Sequence, residues 1–150
     1  MKVDAAAPGI GFWAVSFGLL LWGLAGASIY VAWMVETPEE FASGAESAAN
    51  AEAYAEYVAN IPAWAMGAGM LAAAARLLGA IGLLLRRAWA LPLYIVSVVL
   101  FMVALFRAFV LADVASVMSA SHIATEVIFL GLGLFAIGFA RAQKTRGNLT

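Results

Sequence analysis

Four long apolar stretches dominate the chain, at about 10–35, 62–85, 89–112 and 120–140. Each runs to about 20 residues or more, the length a helix needs to cross a hydrocarbon core of about 30 Å. None alternates between apolar and polar with the period of two that a membrane-barrel strand shows. A helix satisfies its backbone hydrogen bonds internally, so it is the form such stretches take in lipid. The pattern predicts an all-α membrane protein: an antiparallel four-helix transmembrane bundle, a single domain over residues 1–150, with short helices in the first loop at 36–61.

That loop has a pattern of its own. Thr37-Pro38-Glu39-Glu40 reads as a helix start, with Thr37 as N-cap, Pro38 first and Glu40 third. Ser43-Gly44 then breaks it. From about Glu46 to Ala59, the residues Ala51, Tyr54, Ala55 and Val58 recur at helical spacing, with Glu52 and Glu56 on the other side. This predicts a second helix lying along the surface, its Tyr54 and Tyr57 near the headgroups. Asn60 and Pro62 start the second span. The first stretch, preceded by Lys2 and containing Ala25-Gly26-Ala27, invites comparison with a signal peptide. Its length exceeds the about 7–15 apolar residues of such a segment, so it is read as a span.

Charge sets the orientation. Lys2, Arg86, Arg87, Arg141, Lys144 and Arg146 flank one side of a four-span arrangement, and the loops of the other side hold no Lys or Arg. Basic residues near span ends stay cytoplasmic. The reading is therefore a membrane protein with both termini cytoplasmic. The loop bearing Glu36, Glu39, Glu40, Glu46, Glu52 and Glu56 lies outside. Trp13, Trp33, Trp64 and Trp89 fall near span ends, as an aromatic belt does; mid-span Trp22 is read as packing.

Composition narrows the function classes. With 65% hydrophobic and 11% charged residues and a mean hydropathy of +0.97, the chain is not a water-soluble globule. Its basic residues sit mostly at membrane edges, so no nucleic-acid partner is expected. There is no cysteine, which excludes disulfides, thiol catalysis and iron–sulfur ligation, and His122 is the one histidine. No metal or other cofactor is expected. No acid and nucleophile pair at a workable spacing, so the chain is not expected to be an enzyme.

Charges inside spans are costly and are functional candidates by default. Arg107 and Glu126 fall at similar depth, about 8–9 Å below the outer ends of neighbouring spans, and are expected to form an ion pair. His122 lies one turn before Glu126, and Asp113 ends the third span. Together Arg107, Glu126, His122 and Asp113 make a candidate polar cluster at the outer mouth. It serves either as a ligand site or as a device that fixes helix register. Arg76 is deeper, about 15 Å from the cytoplasmic edge, with no acid expected at its depth. Ala68, Ala72 and Ala80 share its face, so it is expected to face protein, where Ser16, Ser97, Tyr94 or free carbonyls could accept from it. An anionic lipid headgroup or substrate is the functional alternative. The glycines Gly18, Gly23, Gly26, Gly67, Gly69, Gly131, Gly133 and Gly138 read as close helix packing.

The stretch Ile61-Pro62-Ala63-Trp64-Ala65, then Leu78-Gly79-Ala80 through Leu83-Leu84-Leu85-Arg86-Arg87-Ala88-Trp89-Ala90-Leu91-Pro92, carries a resemblance. It resembles a family of small four-helix bacterial inner-membrane proteins often catalogued as candidate sugar transporters, and more distantly the DoxX-like four-helix proteins. The resemblance implies a four-helix fold in a bacterial inner membrane and no established reaction. That family tends to carry a small residue where Arg76 stands. The expected function is a small transporter-like or hydrophobic or anionic ligand-binding protein, or else a non-catalytic accessory or structural subunit of a membrane complex. The expected partners are membrane lipids, a second copy of the chain as a homo-oligomer, or another membrane protein.

Overall fold

A computed structural model describes residues 8–45 and 50–150. Lys2, expected at the basic edge, and Glu46, expected to open the second loop helix, lie outside the described residues. The described chain is helical throughout: α1 Ile10–Val35, α2 Pro38–Ala45, α3 Ala51–Ala59, α4 Ala63–Leu84, α5 Ala90–Phe106 and α6 Ala120–Thr145. A π-helical turn, Arg107–Leu111, extends α5, so that the third span runs Ala90–Leu111. These four long apolar helices make the chain an all-α membrane bundle.

Helix α4 is the central element. Its Ala68, Ala72, Ala73, Ala75, Gly79 and Ala80 are all buried. Without bulky side chains its backbone approaches α1 on one side and α5 on the other, the usual basis of helix association in lipid. Helix α6 completes the ring. It packs on α5, and it meets α1 through aromatic pairs, Phe12 with Phe139 and Trp22 with Phe129. The glycines divide accordingly. Gly23, Gly26, Gly69 and Gly133 sit where an added Cβ would crowd a neighbour, whereas Gly18, Gly67, Gly131 and Gly138 face open space. The close-packing expectation thus fails for the second group.

Helices α2 and α3 cap one end. The expected start of α2 is present as a reciprocal capping box: Thr37 N–H donates to Glu40 Oε2 at 2.9 Å, and Glu40 N–H donates to Thr37 Oγ1 at 3.2 Å. Thr37→Ala is expected to cost about 1 kcal/mol, visible as faster amide exchange confined to α2. The break expected at Ser43-Gly44 falls within one residue of the end of α2 at Ala45, where Ser43 Oγ donates to the Glu40 carbonyl. Asn60 does not open α4. Its side chain turns back to the Glu56 carbonyl and closes α3. Phe41 of α2 stacks edge-on against Trp33 of α1, while Tyr54, Ala55 and Val58 of α3 bury with Ala108 and Val114 near the α5–α6 connection.

The opposite end is basic and closed. Arg86, Arg87, Arg141, Lys144 and Arg146 gather there. Arg86 takes the left-handed conformation, φ 57°, in the tight α4–α5 turn. Its Nε donates to the Asn148 carbonyl at 3.1 Å, and its own carbonyl accepts from Thr150 N–H at 2.8 Å. These bonds hold Leu149, 5% exposed, in the same apolar cluster as Phe12, Leu83, Ala90 and Tyr94. Helix α6 reaches Thr145, beyond the expected end of its span near residue 140.

Candidate functional site

The least expected environment belongs to Arg76. It lies about 20 Å along α4 from Ala63, near mid-membrane, and is 4% exposed. Helical side chains lean toward their own N-terminus, so Arg76 leans toward the capped end. Its guanidinium sits within an aromatic cage, 4.2 Å from the Trp22 ring centroid, 5.2 Å from Phe129 and 5.5 Å from Phe101. Cation–π attraction of this kind is worth up to about 2 kcal/mol when desolvated. Gly26 makes the room: a Cβ there would stand 2.7 Å from Nη1. Among the described residues Arg76 forms no hydrogen bond and no ion pair, and its buried Nε has no partner. The acceptors expected for it, Ser16, Ser97 and Tyr94, do not take that role; Ser16 Oγ and Tyr94 Oη are themselves unpaired.

The guanidinium borders a cavity of about 120 Å3 shared with Glu126, His122 and Thr125 of α6, Tyr30 of α1 and Tyr54 of α3. Trp33, Phe41, Phe101 and Phe129 supply aromatic wall. Above it, between α1, α2 and α6, lies a wider vestibule of about 440 Å3 with Ser28, Glu36 and Ser121 on its sides. Ile29, Phe41, His122 and Thr125 line both spaces and form the neck between them. The hydroxyls of Ser28 and Thr125 donate to their own helices, at the Ala25 and Ser121 carbonyls.

The α6 end of the site is set by its N-cap, Ser119, whose hydroxyl accepts from His122 N–H at 3.3 Å. One turn on, Glu126 Oε1 stands 3.8 Å from His122 Nε2, and the His122 ring meets Tyr54 edge-on at 5.2 Å. The structure therefore joins three of the five sequence-derived residues, Arg76, His122 and Glu126, in one cavity. The other two stand apart.

Arg107 does not pair with Glu126. Its Nη2 donates to the Asn60 carbonyl at 3.1 Å and its guanidinium lies 4.6 Å from the Tyr57 ring centroid. Equal depth placed the two residues level without making them face each other. From α5 it is Phe101, Ala104 and Leu105 that border the cavity beneath Glu126, while Arg107 borders a separate one with Tyr57 and Ile61. Arg107 opens the π-helical turn, in which Ala112 N–H reaches back to the Arg107 carbonyl. Such turns inside α-helices are rare and often mark functional positions. Burial pushes the Tyr57 phenol above its usual value, and Arg107 opposes the rise. Asp113 also leaves the cluster. It is exposed, takes φ 46° in the connection after α5, and its carbonyl accepts from Ser116 Oγ.

Tyr30, Trp22 and Gly26 also belong to the site. Trp22, which the sequence reads as packing, and Gly26 lie one turn apart in mid-span, a large ring beside a gap, and together they accommodate the Arg76 guanidinium. Among the described residues no three acidic or histidine side chains gather as metal ligands would. Comparison with family models, with characterised proteins and with solved structures gave no match.

Proposed function

We propose that this membrane protein binds a small anion at Arg76 and is transporter-like, receiving it through the vestibule at the capped end. The observation that carries this reading is the guanidinium itself: buried, held by rings and not by an acid, and bordering a cavity. A cation kept in lipid without a counter-charge is costly, and an anionic ligand supplies the missing partner. The cavity and its neck are built within one chain, so a second copy is not needed to complete them.

In this reading the chain lies in a bacterial inner membrane with the acidic cap outward and the Arg86–Arg146 end in the cytoplasm. The natural lack of cysteine makes the test simple. Glu39→Cys is expected to react with an impermeant thiol reagent in intact cells, and Lys144→Cys only after permeabilisation. The reverse labelling would invert the orientation.

Binding is tested by tryptophan fluorescence, since Trp22 lies against the guanidinium. Titration of the protein in nanodiscs with chloride, nitrate and propionate is expected to give a saturable response to at least one. Gly26→Val places methyl groups where Nη1 now lies and is expected to weaken that binding about tenfold, with an overpacking cost of about 1–3 kcal/mol. A flat response to all three anions would defeat the reading.

A further inference from the structure

The inner cavity brings Arg76 and Glu126 to one space without joining them in an ion pair. Glu126 has His122 one turn away on its own helix, at 3.8 Å. Arg76 is in contact with the rings of Trp22, Phe101 and Phe129. We propose that the site takes a short-chain monocarboxylate together with one proton, the carboxylate on Arg76 and the proton on Glu126. This rests on the anion-binding reading above and names its ligand class and its coupling.

The cavity offers a single unpaired cation. A second charge, as on sulfate or phosphate, would find no second one, because Arg107 is turned to Asn60 and Tyr57. A carboxylate matches the planar guanidinium fork. Beside Glu126, His122 and Thr125, the rest of the wall is mainly rings, with those of Phe41, Phe101 and Phe129 wholly apolar, so a mostly apolar body attached to the charge fits it. Its size is limited by the cavity of about 120 Å3, somewhat below the roughly 150 Å3 that admits a benzene ring. Acids of a few carbon atoms meet all these conditions.

The proton follows from charge balance. Once a monoanion neutralises Arg76, an ionised Glu126 would be a second carboxylate in the same low-dielectric space, and two like charges sharing a site do not both stay ionised. The groups facing Glu126 are Arg76 from α4, Tyr30 from α1, Tyr54 and Tyr57 from α3 and His122 from its own helix. From α5 it meets only apolar side chains. With Arg76 engaged and the phenols and the His122 imidazole neutral, protonation of Glu126 leaves the cavity without net charge. Written as one step, RCOOH passes the neck, its O–H bond breaks, the proton joins a Glu126 carboxylate oxygen and RCOO⁻ remains on Arg76. The charge entering is zero, which suits passage between Ile29 and Phe41.

The test is propionate titration of the whole protein in nanodiscs, by calorimetry in two buffers of different ionisation enthalpy, between about pH 5 and 9. Uptake approaching one proton per propionate is expected in the upper part of that range, with affinity falling up to tenfold per pH unit. Glu126→Gln is expected to abolish both the uptake and the pH slope, whatever its affinity. Sulfate is expected to show no saturable binding. Arg76-dependent propionate binding with no proton uptake anywhere in the range would overturn the coupling and leave the anion site standing. Uptake that persists in Glu126→Gln would overturn the assignment of the proton to Glu126. Sulfate binding as tightly as propionate would overturn the ligand class. Failure of every anion to bind in an Arg76-dependent way would remove both proposals.

Discussion

Arg76→Met is expected to weaken anion binding roughly 30-fold or more and, at the same time, to raise the thermal midpoint of the protein. The two effects have opposite signs because the arginine is kept at a cost. On insertion scales a central arginine costs about 2.5–3.5 kcal/mol. Stacking on Trp22, Phe101 and Phe129 returns about 2 kcal/mol of this, and no acceptor relieves the buried Nε. Methionine fills similar space, lies well against aromatic rings and carries no charge. A net gain of about 1 kcal/mol is therefore expected. Binding responds the other way: losing one member of a buried charge pair costs about 2 kcal/mol or more, roughly 30-fold in affinity. Thermal unfolding and propionate titration of the same preparation check both. An Arg76→Met protein that is several kcal/mol less stable would show instead that the arginine holds the bundle together.

The second large effect is expected at Arg107. Arg107→Gln removes a charge-assisted bond to the Asn60 carbonyl, worth about 1.5–3 kcal/mol, and the contact with the Tyr57 ring, worth about 1 kcal/mol. A destabilisation of about 2–4 kcal/mol should result. Asn60 closes α3 and leads into α4, so the loss should appear first as amide exchange in Ala51–Ala59. The comparison that decides the role of Arg107 is a double-mutant cycle with Glu126→Gln. Residues that share no partner are additive to within about 0.3–0.5 kcal/mol; Arg107 and Glu126 are not in contact but both face Tyr57, so a coupling of no more than about 1 kcal/mol is expected here. A coupling of several kcal/mol would restore the ion pair that equal depth suggested.

These two arginines also show how far the residue pattern reaches. Span positions follow from a length requirement, and a run of apolar residues states its length directly. The start of α2 was equally legible, because Thr37 and Glu40 act on each other across one turn. Which way a side chain points is a different matter. Arg107 and Glu126 share a depth, and depth is all that counting along two helices measures. Their facing depends on the rotation of each helix, and α5 changes its winding at Arg107 itself. The partners of Arg76 were obscured for another reason. Acids, hydroxyls and free carbonyls are the partners a buried charge predicts, whereas the contacts are three rings, one from each of α1, α5 and α6, meeting over the gap left by Gly26. His122 and Glu126 were legible as a pair because one helical turn separates them on the same element.

The docked residues Asn148–Thr150 bear on the shape of any path through the molecule. Below the aromatic cage, Leu19, Ala80, Leu83 and Tyr94 fill the bundle, and Leu149 is set into its floor by backbone bonds to the α4–α5 turn. In this conformation the protein is a cup and not a tube: whatever reaches Arg76 from the capped end must return by the same mouth. Passage to the basic side would require the stopper to lift, and the first bonds to part would be those of Thr150 with Arg86 and Ala88.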